Sequence, residues 1–424
     1  MDSDPSSVMS NNVNITSNGI QKVLRNYNEK QALSEYIWNG FDAKADTVEI
    51  IYTANALGFM DSLEIIDNGY GINFKNLKAK FDPFYESEKA KQLGVNKNKS
   101  VMHGKNGVGR LTFFKFANDA EWQTTFLQNE VLKSGRIQIG VSALNNYQAH
   151  LLEIPLSSKS GTRVLFSNLK ISDDYLVQEI IPYLKAEFCW FLELNKKRGF
   201  TILINGEPLD YTDNILHYEE DIEMKYEDNN TSFKLKFVQW KESLHRELSK
   251  AYFINEKGEE MHKEYTTLNK KADEYFHSIY IESEFFTDFD FNGSEFDAQV
   301  RLYNRSKSAP EFKFLTKKVN EFLRDKRKPF LKEYSGKLIE KYEEDGILPS
   351  DKTGRENLLK VLRSLYEIQP KLFSNLSIDQ KKTIVALFNS LLQSNQKDQI
   401  ITILEHIIDL EDEEKTELRA LLGN

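Results

Sequence analysis

The nine residues Glu35-Tyr36-Ile37-Trp38-Asn39-Gly40-Phe41-Asp42-Ala43 constrain this chain more than any other stretch. At about 100° per residue, positions 35, 39 and 42 of a helix fall within a narrow arc. A carboxylate, an amide and a second carboxylate therefore share one side. Leu33, Ile37 and Phe41 form a separate apolar stripe, suited to packing on a sheet. A general base beside an amide that can bind a metal is an arrangement suited to hydrolysing a nucleotide. Two glycine motifs further along decide whether that reading holds.

Around this helix the pattern is that of an α/β chain. Residues 1–16 are rich in Ser and Asn and read as a flexible N-terminus. One helical pattern is expected from a cap at Thr16 or Ser17 through Ala43. Thr47 to Tyr52 and Ser62 to Ile66 read as strands, being rich in β-branched residues. Residues 72–103 form a Lys- and Asn-rich connection whose length suggests a lid. From about 120 to 168, short alternating segments predict an antiparallel sheet. A helical stretch from Asp173 to about Lys197 and further strands follow, among them Phe233 to Phe237 and Ala298 to Tyr303. A long charged helix is expected from Phe312, interrupted at Pro329. From Gly354 the chain reads as helical. Leu358, Leu359, Leu362 and Leu365 share a face. Ser377 and Gln380 form a capping box ahead of Val385, Leu387, Phe388, Leu391 and Leu392, and Ile400, Ile403, Leu404, Ile407 and Ile408 form another stripe. The stripe Leu418, Leu421, Leu422 comes so near the last residue that a piece of a longer chain is one reading of the sequence.

The second motif, Asp67-Asn68-Gly69-Tyr70-Gly71, directly follows a strand. A carboxylate at a strand end can accept a hydrogen bond from an exocyclic amine such as that of adenine. Glycines at 69 and 71 allow a sharp turn and close approach to a flat ligand. The third motif is Gly104-Lys105-Asn106-Gly107-Val108-Gly109-Arg110. Glycines before a helix start can aim backbone N–H groups at phosphate oxygens. Arg110-Leu111 stands where a Walker A loop demands Lys and then Ser or Thr, so this is a different phosphate loop. Each motif alone is more often a plain turn; their order and spacing carry the signal.

Together, ExxxNxxDA on a helix, DxGxG after a strand, a long connection and GxxGxG before a helix resemble the GHKL ATPases. That superfamily contains gyrase B, MutL, the ninety-kilodalton heat-shock chaperone, MORC proteins and histidine kinases. Gly161-Thr162-Arg163-Val164-Leu165-Phe166 is similar to the family's late Gly-Thr strand. The resemblance covers about residues 17–170 and implies a Bergerat-type α/β sandwich, a mixed, largely antiparallel sheet backed by helices. It implies ATP and Mg2+ as ligands. Glu35 would be the general base, Asn39 the magnesium ligand and Asp67 the partner of the adenine amino group, supported by Thr162. Asp42 would either assist near the ligand or cap the helix. Gly69 and Gly71 would admit the base, and residues Gly104, Lys105, Asn106, Gly107, Val108 and Gly109 would line the phosphates. Lys105 is otherwise simply exposed. Ser87 and Lys89 resemble a Ser-x-Lys element of some relatives' lids, or a solvated charged loop.

Glu35 and the lack of an acceptor histidine select the branch. The first histidine is His103, inside the third motif, so no phosphoacceptor helix precedes Glu35. The resemblance is to the MutL, MORC and chaperone branch, with a transducer-like α/β domain at 171–345 and an all-helical region at 346–424. Such a domain would offer a cation to the γ-phosphate; Arg305 and Lys307 are candidates, or are exposed loop cations. The implied activity is a hydrolysing switch that dimerises or clamps on ATP binding to control a partner, effector or nucleic acid, with the helical C-terminal region as the surface for a protein effector or client. A further resemblance is to bacterial anti-phage-defence ATPases. The alternatives are a non-hydrolysing nucleotide-binding module and a DNA clamp.

Composition narrows the remaining classes. A chain of 424 residues exceeds what one core usually serves, so two or three domains are expected. No apolar run reaches eighteen residues and no signal peptide opens the chain, so no membrane span is expected. The single cysteine, Cys189, excludes an intrachain disulfide and any multi-cysteine metal site, and favours a cytoplasmic compartment. The net charge of −9 argues against an electrostatic grip on nucleic acid by the whole protein. Arg324, Lys326, Arg327 and Lys328 remain a local basic cluster, either a nucleic-acid contact or a solvated helix end.

Overall fold

The computed structural model describes residues 15–81, 108–244, 249–270, 274–291, 305–349, 354–368, 376–394 and 398–407, with a few isolated positions besides. The chain forms two compact units. The first is Met1–Ile215 with Phe253–His262, and the second is Leu216–Tyr252 with Lys263–Asn424.

The first unit opens with two helices where the sequence suggests one. Helix α1 (Ser17–Val23) is capped by the Thr16 hydroxyl, which accepts from Gly19 N at 3.1 Å. Helix α2 (Glu29–Asp42) starts afresh at Asn28, whose side chain accepts from Gln31 N at 2.9 Å while Gln31 Oε1 accepts from Asn28 N at 3.3 Å. This reciprocal box satisfies two orphan N–H donors and makes a break at 24–28 cheap. Strands β1 (Thr47–Ala54) and β2 (Met60–Asp67) follow as an antiparallel pair. The short α3 (Leu77–Phe81) comes next. After the third motif the chain forms not an α-helix but a 3-10 helix, Gly109–Lys115.

Strands β3 (Asp119–Gln128), β4 (Val131–Gly140), β5 (Gln148–Leu151) and β6 (Gly161–Ser167) build the antiparallel sheet expected from their alternation. A single turn (Asp173–Tyr175), a π turn (Leu176–Ile180) and helix α4 (Ile181–Leu194) lead to β7 (Thr201–Ile204) and β8 (Glu207–Pro208). The completed order is β5-β4-β3-β6-β2-β1-β7-β8. Among the described residues of this sheet only β1 and β7 pair in parallel, because the chain reaches β7 through a helical crossover rather than a hairpin. The first unit thus continues past residue 170 to Ile215.

Helix α2 is held against this sheet by a close approach. A Cβ on Gly40 would stand 2.8 Å from Val48 Cγ2 and 3.0 Å from Asp67 Cβ. Beside α2, α4 packs by aromatic contact, with Trp38–Phe188 and Phe41–Phe191 ring centroids 4.4 and 4.7 Å apart. Cys189 is buried there, and burial pushes its thiol far up, so it is an inert core residue.

A five-stranded sheet, in the second unit but for Ile215 and Phe253–His262, holds strands β9 (Ile215–Tyr226), β10 (Thr231–Trp240), β11 (Lys250–Ile254), β12 (Glu260–Tyr265) and β13 (His277–Glu282) in the order β12-β11-β13-β10-β9. Short β14 (Phe289–Asp290) and β15 (Arg305–Ser306) pair in parallel. Helix α5 runs unbroken from Pro310 to Glu344, with Pro329 inside it. The interruption expected at that proline does not occur, because both halves of α5 are anchored. Phe322 packs on Phe237 of the sheet, and Leu331, Ile339 and Tyr342 share a core with the helices that follow, outweighing one lost hydrogen bond. Those helices are α6 (Arg355–Ile368), α7 (Ile378–Gln393, with the expected Ser377–Gln380 box) and α8 (Asp398–Ile407). Leu387 departs from its expected stripe and is 42% exposed. The strand expected at 298–303 and the terminal leucines 418, 421 and 422 lie outside the described residues, as does Ile408. Among the described residues no helix is long and apolar enough to cross a membrane.

Candidate active site

From Ala32 to Asp42 every residue of α2 is buried except Glu35, Asn39 and Asp42. The polar arc read from the sequence is the accessible edge of an otherwise buried helix. Two further segments converge on it.

The first is the start of the 3-10 helix. A Cβ on Gly109 would overlap Glu35 Oε2 and stand 3.2 Å from Glu35 Cδ, so a glycine is required for the carboxylate to lie where it does. Three hydrogen bonds pin this segment to α2 and its approach. Tyr36 Oη donates to Arg110 O at 2.8 Å, Thr112 Oγ1 donates to Ala32 O at 3.2 Å, and Lys115 Nζ donates to Arg25 O at 2.9 Å. Burial pushes the Tyr36 phenol well above its ordinary pKa, so it remains a donor. Arg110 holds the other flank: its guanidinium donates to Phe81 O at 2.6 Å and lies 5.4 Å over the Phe81 ring.

The second segment is the end of β2. Asp67 pairs with Thr162 of β6 and lies against Gly40. Its carboxylate accepts from Gly69 N at 2.9 Å and from the backbone of Thr162. Burial nevertheless raises its pKa from 3.8 to about 6, because the two donated bonds offset only part of the desolvation. Gly69 sits where a Cβ would meet Ala43 O at 2.5 Å, and Tyr70 N donates to that carbonyl at 2.9 Å. Gly71 has φ +70°, and a Cβ there would overlap the Thr125 carbonyl. Thr162 is buried, its hydroxyl 3.2 Å from that of Thr124, which also accepts from Ile72 N at 2.8 Å.

Glu35, Asp67, Gly69, Gly71, Thr162 and Gly109 thus lie on segments bound to one another, along with Asn39 and Asp42. Val108 is buried. Ser87, Lys89, Gly104, Lys105, Asn106 and Gly107 lie outside the described residues, as does most of the segment 72–103. Lys307 belongs to the second unit, in the turn before α5, where it forms an ion pair with Glu264 at 2.6 Å. Arg305 lies there too, 5.1 Å over the Phe285 ring. The basic cluster on α5 is mid-helix rather than a helix end. Arg327 is buried, Lys326 pairs with Glu219, and Lys328 pairs with Asp325 at 3.1 Å.

No set of three His, Cys, Asp or Glu side chains among the described residues could hold a metal. Asn39 offers one hard oxygen donor at the accessible edge, which fits an ion that keeps several waters and takes its other ligands from phosphates. The acceptor Asp67 suits an exocyclic amine such as that of adenine, while the glycines at 69, 71 and 109 let the protein's own segments meet at this edge.

Sequence reasoning missed Gly40, Tyr36, Thr112, Thr124 and Tyr27. Gly40 carried a signal, since an interior helix glycine costs about 0.5–1 kcal/mol relative to alanine and so marks a close approach. The others depend on pairings between segments far apart in the chain.

Residues 27–169 match the family described as histidine kinase-, DNA gyrase B- and HSP90-like ATPase. Among solved structures, the N-terminal domain of a DNA repair protein is similar at 14% identity and a TM-score of 0.35, covering 73% of this chain and 97% of that one. No curated protein matches the chain.

Proposed function

Residues 27–169 constitute a GHKL-type ATPase domain, and from that premise we propose that this protein is a Mg2+-dependent ATPase working as a conformational switch. The observation that carries the proposal is the convergence on one helix edge of Glu35, Asn39 and Asp42, with Gly109 packed on the Glu35 carboxylate and Asp67 packed on Gly40. Glu35 orients and deprotonates the attacking water. Asn39 Oδ1 ligates magnesium. Asp67 accepts from the adenine amino group, and the Thr162 backbone holds its carboxylate in place. The backbone at Val108 and Gly109 faces the phosphates. Magnesium held by Asn39 would supply positive charge against the phosphates.

ATP binding promotes dimerisation or clamping through the first unit, and hydrolysis releases it, so that a partner is controlled by nucleotide state. The core shared by α5 and the three helices after it supports a rigid connection to a protein partner through the C-terminal region.

Phosphate release by the wild-type chain and by Glu35→Ala tests the activity. The expected outcome is a rate lost in the variant with analogue binding retained; equal rates in both sink the ATPase reading. Light scattering with a non-hydrolysable ATP analogue tests the switch. A mass increase is expected, and a constant monomer at saturating nucleotide rejects it.

A further inference from the structure

The Glu35 carboxylate has a neighbour that belongs to none of the motifs. The Tyr27 hydroxyl donates to Glu35 Oε1 at 3.5 Å. Tyr27 stands eight residues upstream, immediately before the α2 cap residue Asn28, in the turn that joins α1 to α2. That turn is held at two points. Tyr27 N donates to Leu24 O at 3.1 Å, and Lys115 Nζ reaches Arg25 O at 2.9 Å. Lys115 closes the 3-10 helix that Gly109 opens.

The two oxygens of Glu35 therefore have different surroundings. Oε1 faces the Tyr27 phenol, and Oε2 faces the bare Cα of Gly109. We propose that Tyr27 is a positioning residue for Glu35, fixing the setting of the carboxylate that takes the proton from water. This rests on the reading of Glu35 as general base.

The physical need is clear from the side chain. A glutamate terminus rotates in a broad, two-fold well and has no fixed setting of its own. At 3.5 Å the Tyr27 bond is long, and it biases the carboxylate between its settings. The turn is tied to the same 3-10 segment that packs on Oε2, so donor and carboxylate stay in register as a unit. Tyr27 only donates a hydrogen bond, and no bond breaks at it. The proton leaving water ends on the Glu35 carboxylate.

Tyr27→Phe in the full chain removes the donor and leaves the ring. The expected outcome is a kcat about two- to ten-fold lower, what an ordinary rather than a charge-assisted hydrogen bond supplies, because this bond is long. KM for ATP and affinity for a non-hydrolysable analogue should stay within about two-fold, since a positioning effect on the base does not touch ground-state binding. In a Glu35→Gln background, Tyr27→Phe should leave the residual rate unchanged, because the two residues act as one unit. An unchanged kcat in the single variant overturns the proposal. So does an equal further loss in the Glu35→Gln background, or a loss of analogue affinity in step with kcat, either of which assigns Tyr27 to packing. A Glu35→Gln protein that keeps the wild-type rate removes the premise, and that result is seen before any Tyr27 variant is assayed.

Discussion

Asp67 is where the stability of this chain and its proposed activity pull in opposite directions. Burial raises the carboxyl from 3.8 to about 6, although Gly69 and Thr162 donate to it. Because the folded pKa lies above the unfolded one, the folded chain holds the proton more tightly between those values. The contribution of Asp67 to stability is therefore fully present below 3.8, falls as pH rises and is lost above about 6. The interval of roughly two pH units, at about 1.4 kcal/mol each, sets a ceiling of about 3 kcal/mol for the cost of the ionised carboxylate at neutrality. Asn at this position keeps an oxygen for the Gly69 N–H and carries no charge. Asp67→Asn should thus stabilise the nucleotide-free protein by about 1–3 kcal/mol at pH 7. It should also weaken nucleotide binding by about ten-fold or more, since the charge-assisted acceptor is gone. Urea denaturation at pH 7 and pH 4 measures the first effect, and titration calorimetry with an ATP analogue measures the second. The stability gain must shrink toward zero as pH falls below 4, where both side chains are neutral. A variant less stable than wild type at pH 7, or a gain that persists at pH 4, refutes the reasoning.

Gly109→Ala should lower kcat by about 10–100-fold, as a base displaced by about 1 Å does. Its melting temperature should barely move, because the atom that must yield is the end of a flexible side chain; a collapse of the fold instead would show that the clash is with the core. Pro329→Ala should stabilise the second unit by about 1–3 kcal/mol by restoring a helix hydrogen bond at an exposed position, with ATP turnover unchanged. Denaturation monitored by Trp240 fluorescence reports this, and a destabilised variant would mean that α5 needs the proline. His277 is buried, accepts from the Thr266 hydroxyl at 2.9 Å, and is pushed by burial, and then by Arg327, down to about 4. Its folded pKa is depressed, so the stability it contributes is full above about 6.5 and is lost as pH falls toward 4. Acid unfolding should start in the second unit, and His277→Gln should flatten that dependence; an identical acid transition in the variant would contradict it.

What the sequence made legible was local. The arc at 35, 39 and 42 follows from helix geometry alone, and strands β1 to β4 and β6 follow from β-branched alternation. The Ser377–Gln380 box was visible because both partners lie within one turn. The missed features were set by competition or by distance. The break between α1 and α2 came from a cap at Asn28, which a continuous apolar period concealed. The unbroken α5 came from packing on both sides of Pro329, which no local propensity contains. The ties of Tyr36, Thr112 and Lys115 join residues 74 to 90 positions apart, and only the assembled fold brings them together.

The same distinction changes what the glycines mean. A glycine motif read from sequence is assigned to its ligand, on the ground that a backbone must approach a phosphate or a base closely. In this fold the glycines are needed before any ligand arrives, two of them at the edge that carries Glu35. Without a Cβ at 40, α2 comes close enough to place its polar edge beside Asp67. Without a Cβ at 109, the phosphate segment comes close enough to lie on Glu35. Replacing Gly40 with alanine forces an overlap with Val48, buried in the sheet, which cannot yield as a flexible chain end can. Overpacking of this kind costs about 1–3 kcal/mol, partly offset by the better helix propensity of alanine, about 1 kcal/mol. Gly40→Ala should therefore lose both stability and nucleotide affinity, whereas Gly109→Ala should lose turnover alone. If the two variants instead fail in the same way, the glycines serve the ligand and not the assembly of the site.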